Sequence, residues 1–192
     1  MTLLIVGLIL FLGSHSLSIV APAARNAWAA RLGEWPFKGL YGLIALTGFV
    51  LLVIGYGQAR LDPTVLYVSP SWTTHLMMLL MLIVFPALFA TYLPGRISRM
   101  LGHPMLVAVK AWAIAHLLVN GTLADVLLFG GFLAWAVADR ISLKRRTPNP
   151  ILRAPETALN DVLVIVLGLA AYVGFAFWAH PRWIGVPVMS IG

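Results

Sequence analysis

The histidines are the side chains of this sequence best suited to chemistry. His15, His75 and His116 fall within or at the edge of long apolar runs, whereas His103 and His180 lie near predicted helix ends. An ionisable group is costly inside a bilayer, so one found there is a candidate functional group. A single imidazole in a membrane often only hydrogen-bonds a neighbouring helix. Three in so short a chain favour a binding site.

The other residue types of the sequence exclude several kinds of site and favour haem binding. The chain has no cysteine and only six acidic residues, and the acidic residue nearest a helix interior, Asp125, fits a helix cap. Thiolate ligation, paired-carboxylate catalysis and serine-type triads therefore lack their parts. Imidazole is a good ligand for haem iron, and two histidines on facing helices can hold a haem between them.

One predicted helix repeats polar and aromatic residues at helical spacing. Trp112, His116 and Asn120 recur every four residues and are therefore expected on one face. An aromatic wall, a ligand and an amide suit a porphyrin pocket. Trp and Asn are also common as interface anchors at a helix end, and the spacing alone leaves both interpretations open.

Membrane helices must position these residues, because 61% of the 192 residues are hydrophobic and only 10% are charged. A soluble domain is roughly half hydrophobic and a quarter charged. We predict an all-α, polytopic transmembrane bundle that forms one domain over residues 1–192. The first run lacks a preceding basic segment, so we expect a membrane helix there and not a cleaved signal. Apolar runs predict helices near residues 2–21, 39–57, 72–93, 104–119, 122–140 and 158–179.

The fourth and fifth predicted helices form a tight hairpin, because only Asn120 and Gly121 separate them. Gly121 suits a left-handed residue that ends a helix. Thr122 with Asp125 predicts a capping box at the start of the fifth helix. Close backbone packing is predicted for the glycines of the second helix, which are Gly39, Gly42, Gly48 and Gly55.

Basic residues are concentrated in alternate connections. Eleven of the thirteen lysines and arginines lie in or beside the first, third and fifth connections, with Lys110 of the fourth predicted helix counted with the third. By the positive-inside rule both termini face outward from a bacterial inner membrane, into the periplasm of a Gram-negative host. The net charge of +7 then reflects orientation and not nucleic-acid binding. The run 144–146 is predicted to contact anionic lipid.

Depth in the membrane leaves two histidine pairings open. His15 is about 9 Å from the inner end of its predicted helix, and His116 is about 18 Å from the inner end of the fourth. These depths differ by less than the width of a haem. His75 lies near the outer face, so its pairing with His116 fits depth slightly better but is closer to water. The pairing with His15 improves if the first helix continues past Pro22 towards Arg31.

Motifs along nearly the whole chain resemble the NnrU family of bacterial membrane proteins. They are GSHS at 13–16, GEWPFKGLYGL at 33–43, GYGQAR at 55–60, YLPGRI at 92–97, GHPMLVAVKAWAIAHLLVNG at 102–121 and FLAWAVADRISLKRR at 132–146. The resemblance implies a link to denitrification, through nitrite and nitric oxide reductase activity.

The family is similar to plant zeta-carotene isomerase, which binds haem b through two histidines and isomerises a carbon double bond when the iron is reduced. By motif position, the resemblance implies that His15 of GSHS and His116 of AHLLVNG are the equivalent ligands. It does not imply the same substrate, because related membrane folds host different chemistries.

We therefore expect haem b between His15 and His116, with redox or isomerase-like chemistry on a lipophilic molecule or a small gas such as nitric oxide. The predicted cofactor contacts are His15, His116, Trp112, Asn120 and His75. Arg25 and Arg96 are predicted to pair with the propionates. The alternative is a non-enzymatic accessory or assembly factor that acts on the nitrite or nitric oxide reductases of denitrification.

The charge distribution predicts a specific topology. A reporter fused after Arg146 should behave as cytoplasmic and one fused after Tyr67 as external, because basic connections are retained inside. Paired alkaline phosphatase and fluorescent-protein fusions at the two sites measure this directly. An external signal after Arg146 would contradict the orientation and the depths derived from it.

Overall fold

The computed structural model describes residues 1–147 and 151–188, and its regular structure is helical. Over these residues there is no strand, only one isolated antiparallel bridge between Val65 and Thr122. The helices are α1 Thr2–Val20, α2 Pro22–Leu32, α3 Glu34–Ala59, α4 Thr73–Tyr92, α5 Arg96–Leu101, α6 Pro104–Leu117, α7 Leu123–Ser142 and α8 Leu159–Gly174, and α8 continues as a π-helix over Phe175–Ile184. The all-α prediction is confirmed.

Four of these helices are long and apolar enough to cross a bilayer: α1, α3, α4 and the joined Leu159–Ile184 segment. Helix α6 is apolar but has only 14 residues. Helix α7 has 20 residues and includes the charged Asp125, Asp139 and Arg140. All six predicted segments correspond to helices, and the chain is a multi-pass membrane protein.

The first predicted helix does not extend to Arg31. Helix α1 ends at Val20, Ala21 takes φ −142° and ψ 56°, and α2 begins at Pro22. A residue before proline is driven from the α region, and proline is well suited to the first position of a new helix. The arrangement that would have moved His15 towards mid-membrane is therefore not observed.

The described helices form two compact units. Unit 1 comprises Met1–Val68 and Asn120–Arg146, and so contains α1, α2, α3 and α7. Unit 2 comprises Ser69–Val119 and the described part of Thr147–Gly192, and so contains α4, α5, α6 and α8. The assignment of residues 1–192 to one domain stays a prediction.

Glycines bring α1 and α3 together in unit 1. A Cβ atom at Gly7 or Gly55 would overlap the backbone of Leu52 or Leu4, and one at Gly48 would lie 2.6 Å from the backbone nitrogen of Phe11. Such contact is typical of membrane helices, whose association depends on close van der Waals packing. The packing prediction is thus confirmed for Gly48 and Gly55.

The same prediction is wrong for Gly39 and Gly42. A Cβ atom at either position would meet nothing within 4 Å. These two glycines belong to the first turns of α3, before the stretch of that helix that packs closely against α1.

A loop segment after α3 binds the turn that precedes α7. The amide nitrogens of Leu66 and Tyr67 donate to the Gly121 carbonyl at 2.8 and 3.1 Å, and the Leu123 amide donates to the Thr64 carbonyl at 2.8 Å. The capping box of Thr122 and Asp125 is present as predicted. These bonds satisfy backbone groups that a helix terminus would otherwise leave unpaired.

The left-handed conformation predicted for Gly121 is wrong. Among the described residues only Gly33, Gly102 and Gly185 have positive φ. Glycine is instead required at position 121 because the Tyr67 backbone is too close for a side chain. A Cβ atom there would overlap the backbone carbonyl oxygen of Tyr67.

Unit 2 packs α4 against α6 and α8. A Cβ atom at Gly168 of α8 would lie 2.6 Å from the ring of Pro86, which lies inside α4. Asp161 of α8 accepts hydrogen bonds from the backbone nitrogens of Arg96 and Ile97 at the start of α5, both at 3.0 Å. The apolar core of the unit includes Met77, Met81, Val84, Ala87, Ala108, Ala111 and Ala115.

Replacing Gly121 with Ala should lower the free energy of unfolding by about 1–3 kcal/mol, because the added methyl must displace the Tyr67 backbone. Gly57→Ala is the matched control, since its Cβ atom would meet nothing within 4 Å. Reversible denaturation in detergent compares the two variants. Equal stability of Gly121→Ala and the wild type would contradict the proximity argument.

Candidate functional site

His15 lies on α1 with one ring nitrogen bound to its own helix. Its Nδ1 atom is 2.7 Å from the carbonyl oxygen of Phe11, one turn earlier. A carbonyl oxygen can only accept, so this bond requires the neutral tautomer with the proton on Nδ1 or the doubly protonated cation. In the neutral ring the lone pair then lies on Nε2, the arrangement found in histidines that ligate metals.

Aromatic rings from all three long helices of unit 1 surround this imidazole. The ring centroid of His15 is 4.4 Å from that of Phe11 on α1, 5.5 Å from Tyr41 on α3 and 6.0 Å from Trp135 on α7. The Trp135 ring is nearly perpendicular to the imidazole, at 89°. The histidine is therefore held in a largely apolar, aromatic environment.

Trp135 is a partly buried side chain with an unusual feature. Its indole Nε1 is buried, and within the described part of the chain it has no hydrogen-bond partner. An indole N–H in such a place normally finds an acceptor. Trp135 and Tyr41 were not predicted as site residues from sequence. They lie in the family motifs at 132–146 and 33–43.

His116 has the same local arrangement in unit 2. Its Nδ1 atom is 2.8 Å from the carbonyl oxygen of Trp112, again one turn earlier on the same helix. The rings of Trp112 and His116 lie 5.3 Å apart. The predicted sharing of one helix face by these two residues is confirmed.

Asn120 does not continue that face. Helix α6 ends at Leu117, and Asn120 belongs to unit 1, where its backbone oxygen accepts a hydrogen bond of 2.7 Å from the Tyr67 hydroxyl. The helical-spacing argument therefore applies to Trp112 and His116 alone. Contact of Asn120 with a cofactor stays a prediction.

The remaining histidines lie at helix ends or in the π-helix. His75 is exposed in the first turn of α4, and His103 is the N-cap residue of α6. His180 lies in the π-helix, with Nδ1 2.7 Å from the Val186 carbonyl oxygen. No group of three or more His, Cys, Asp or Glu side chains arranged to hold a metal ion occurs in residues 1–147 and 151–188.

The predicted site residues therefore divide between the units. His15 and Asn120 lie in unit 1, whereas His75, Trp112 and His116 lie in unit 2. His15 in unit 1 and His116 in unit 2 each have Nδ1 bound to a carbonyl one turn earlier in the same helix, whereas the carbonyl near Nδ1 of His180 follows the π-helix. The pairing of His15 with His116 stays a prediction.

The sequence matches the family model described as NnrU protein over residues 3–188. The chain belongs to the NnrU family. No curated protein and no solved structure matches it. The match spans nearly the full chain, so both histidine arrangements belong to the NnrU region.

Carboxylates of this NnrU chain are largely engaged in holding its helices and ion pairs. Asp125 is 4% exposed, accepts 2.5 Å and 2.6 Å hydrogen bonds from the hydroxyls of Tyr56 and Thr122, and also binds the Thr122 amide. Asp139 pairs with Arg146, and Asp161 caps α5. The interpretation of Asp125 as a cap is confirmed.

Tyr67 is fixed by the same region. Burial and the nearby Asp125 carboxylate raise the pKa of the Tyr67 hydroxyl above its ordinary value. The hydroxyl therefore remains protonated and donates to the Asn120 carbonyl. This bond helps to hold the turn between α6 and α7.

The arginines predicted to meet propionates have different surroundings. The guanidinium of Arg25 lies 5.2 Å from the ring centroid of Phe37 and donates to Asn26. The side chain of Arg96 is exposed, while its backbone nitrogen binds Asp161. Pairing of either residue with a propionate stays a prediction.

Tyr56→Phe should destabilise the protein by about 1–3 kcal/mol, because the buried Asp125 carboxylate loses a hydrogen-bond donor. Tyr92→Phe removes a hydroxyl from an exposed tyrosine and is the matched control. Thermal melting in one detergent compares both with the wild type. Equal losses in the two variants would show that the Tyr56 bond contributes nothing specific.

Proposed function

We propose that this NnrU protein binds haem b, with His15 and His116 as iron ligands. The proposed activity is redox or isomerase-like chemistry on a lipophilic molecule or a small gas, linked to denitrification. The observation that carries the proposal is the bond from His15 Nδ1 to the Phe11 carbonyl at 2.7 Å, within a ring of aromatic side chains.

The donor set fits a haem. A porphyrin supplies four nitrogen ligands of its own, so the protein needs to provide only one or two. The described residues offer single imidazoles and no three-ligand group. A neutral imidazole ligand also adds no charge to an apolar region.

The hydrogen bond at Nδ1 of His15 and of His116 supports the same role as iron ligand. A hydrogen bond at Nδ1 fixes the ring orientation and increases the basicity of the other nitrogen. His15 has this bond to Phe11, and His116 has it to Trp112. Both rings thus have Nδ1 bound to a carbonyl one turn earlier on their own helix.

The side chains around His15 exclude water from its ring and provide one hydrogen-bond donor. Phe11, Tyr41 and Trp135 limit access of water to the His15 ring. The Nε1–H of Trp135, which has no acceptor among the described residues, can donate a hydrogen bond to an acceptor on a bound group. When bound, haem supplies one-electron chemistry and an iron that can bind a small gas.

An absorption spectrum of the purified protein tests this proposal. The wild type should show a Soret band with sharp bands on reduction, and His15→Ala or His116→Ala should lower haem content severalfold or shift the spectrum. His103→Ala and His180→Ala should leave both nearly unchanged. All variants are compared at equal amounts of folded protein.

His75→Ala separates the two predicted pairings. Loss of haem in this variant, together with retention in His15→Ala, would replace His15 by His75 as the partner of His116. A folded protein that contains no haem and takes none up when offered it would refute both pairings. The accessory-factor function, acting on denitrification reductases, would then be favoured.

A further inference from the structure

A lysine lies within the apolar helix α6. Lys110 is partly buried, and no hydrogen bond or ion pair to it occurs among residues 1–147 and 151–188. The residues one turn away on either side are apolar, namely Leu106, Val107, Ala113 and Ile114. Leu106 and Ala113 are buried, whereas Ile114 is 41% exposed. Helix α6 therefore offers no partner to this ammonium.

The carboxylates of unit 2 are already engaged. Within its described residues the acidic side chains are Glu156 and Asp161. Glu156 pairs with Arg99, and Asp161 accepts hydrogen bonds from the first amides of α5. Among the described residues of this unit, no acidic side chain remains to offset the charge of Lys110.

The position of Lys110 on α6 indicates towards which end of the helix its side chain points. It lies about 9 Å along the helix from Pro104, at 1.5 Å per residue. Helical side chains lean towards the helix N-terminus, and a lysine extends its stem over apolar surface to place its ammonium in a polar layer. We therefore expect the ammonium to be directed towards the Pro104 end of α6, the end that the charge distribution predicts to be cytoplasmic.

We propose that Lys110 is an anion-binding residue, whose ammonium pairs with an oxyanion of a molecule bound in the membrane. Two sources have the required chemistry: the phosphate of an anionic phospholipid, and a carboxylate of the bound haem. The second source rests on the proposed function. An ammonium in the polar layer is at the level of lipid headgroups, where an oxyanion can pair with it.

The phosphate source is tested by native mass spectrometry of the full chain in detergent. Phosphatidylglycerol and phosphatidylcholine with the same acyl chains are titrated against the wild type and Lys110→Gln. The wild type should prefer phosphatidylglycerol, and Lys110→Gln should lose about tenfold in affinity for it, as expected for one hydrogen bond to a charged group. Lys110→Arg should retain the preference.

Two further variants keep this test decisive. Lys38→Gln is the matched control, because Lys38 already pairs with Glu34 at 2.6 Å and should not affect the preference. Lys110→Met is a second neutral variant that suits an apolar helix. It provides the measurement if Lys110→Gln does not fold.

The carboxylate source is tested with haem and its dimethyl ester, which lacks both carboxylates. The wild type should bind haem more tightly than the ester, and the neutral Lys110 variants should bind the two equally. If the wild type binds neither compound, the proposed function fails while the lipid titration still decides the role of Lys110. Neutral variants that match the wild type in both titrations would overturn the proposal.

Discussion

The hydrogen bond from a polar side chain to the carbonyl one turn earlier is the interaction on which the candidate site depends. Inside a bilayer no water satisfies a polar group, so the side chain must find a partner in the protein. His15, Ser16 and Thr91 each bond to the carbonyl four residues before them. For a hydroxyl this bond is only a means of burial. For the His15 imidazole it also leaves Nε2 as the nitrogen that would bind iron in the proposed function.

The acidic residues Asp125 and Asp161 also find their hydrogen-bond partners within the protein, but outside their own helices. A carboxylate accepts several hydrogen bonds, and Asp125 obtains them from Tyr56 and Thr122, which join α3 to the start of α7. Asp161 similarly joins α8 to α5. Because these carboxylates are engaged in structural bonds, proton transfer by paired acids has no residues assigned to it. In the proposed function the chemistry is therefore assigned to the histidines and to a haem that brings its own reactivity.

The helices and the capping box could be predicted from sequence because apolar runs and local spacing determine them. The break at Ala21 was available in the same way, since Pro22 restricts the residue before it. The need for glycine at position 121 could not be predicted from sequence, because the Tyr67 carbonyl that excludes a side chain there is distant along the chain. Trp135 and Tyr41 were missed for a related reason. Helical periodicity tells which residues share a face, but it does not identify the helix that this face contacts.

The glycines of α1 and α3 connect this packing to the site. Gly55 contacts Leu4, Gly7 contacts Leu52 and Gly48 contacts Phe11, so the close approaches follow one antiparallel register. Extending that register along α1 places His15 beside the turn of α3 that contains Tyr41, in agreement with the 5.5 Å between their rings. A side chain at one of these glycines would force the helices apart or shift their register. The aromatic surroundings of His15 thus depend on residues that have no side chain and lie about one to three turns away from it along the helices.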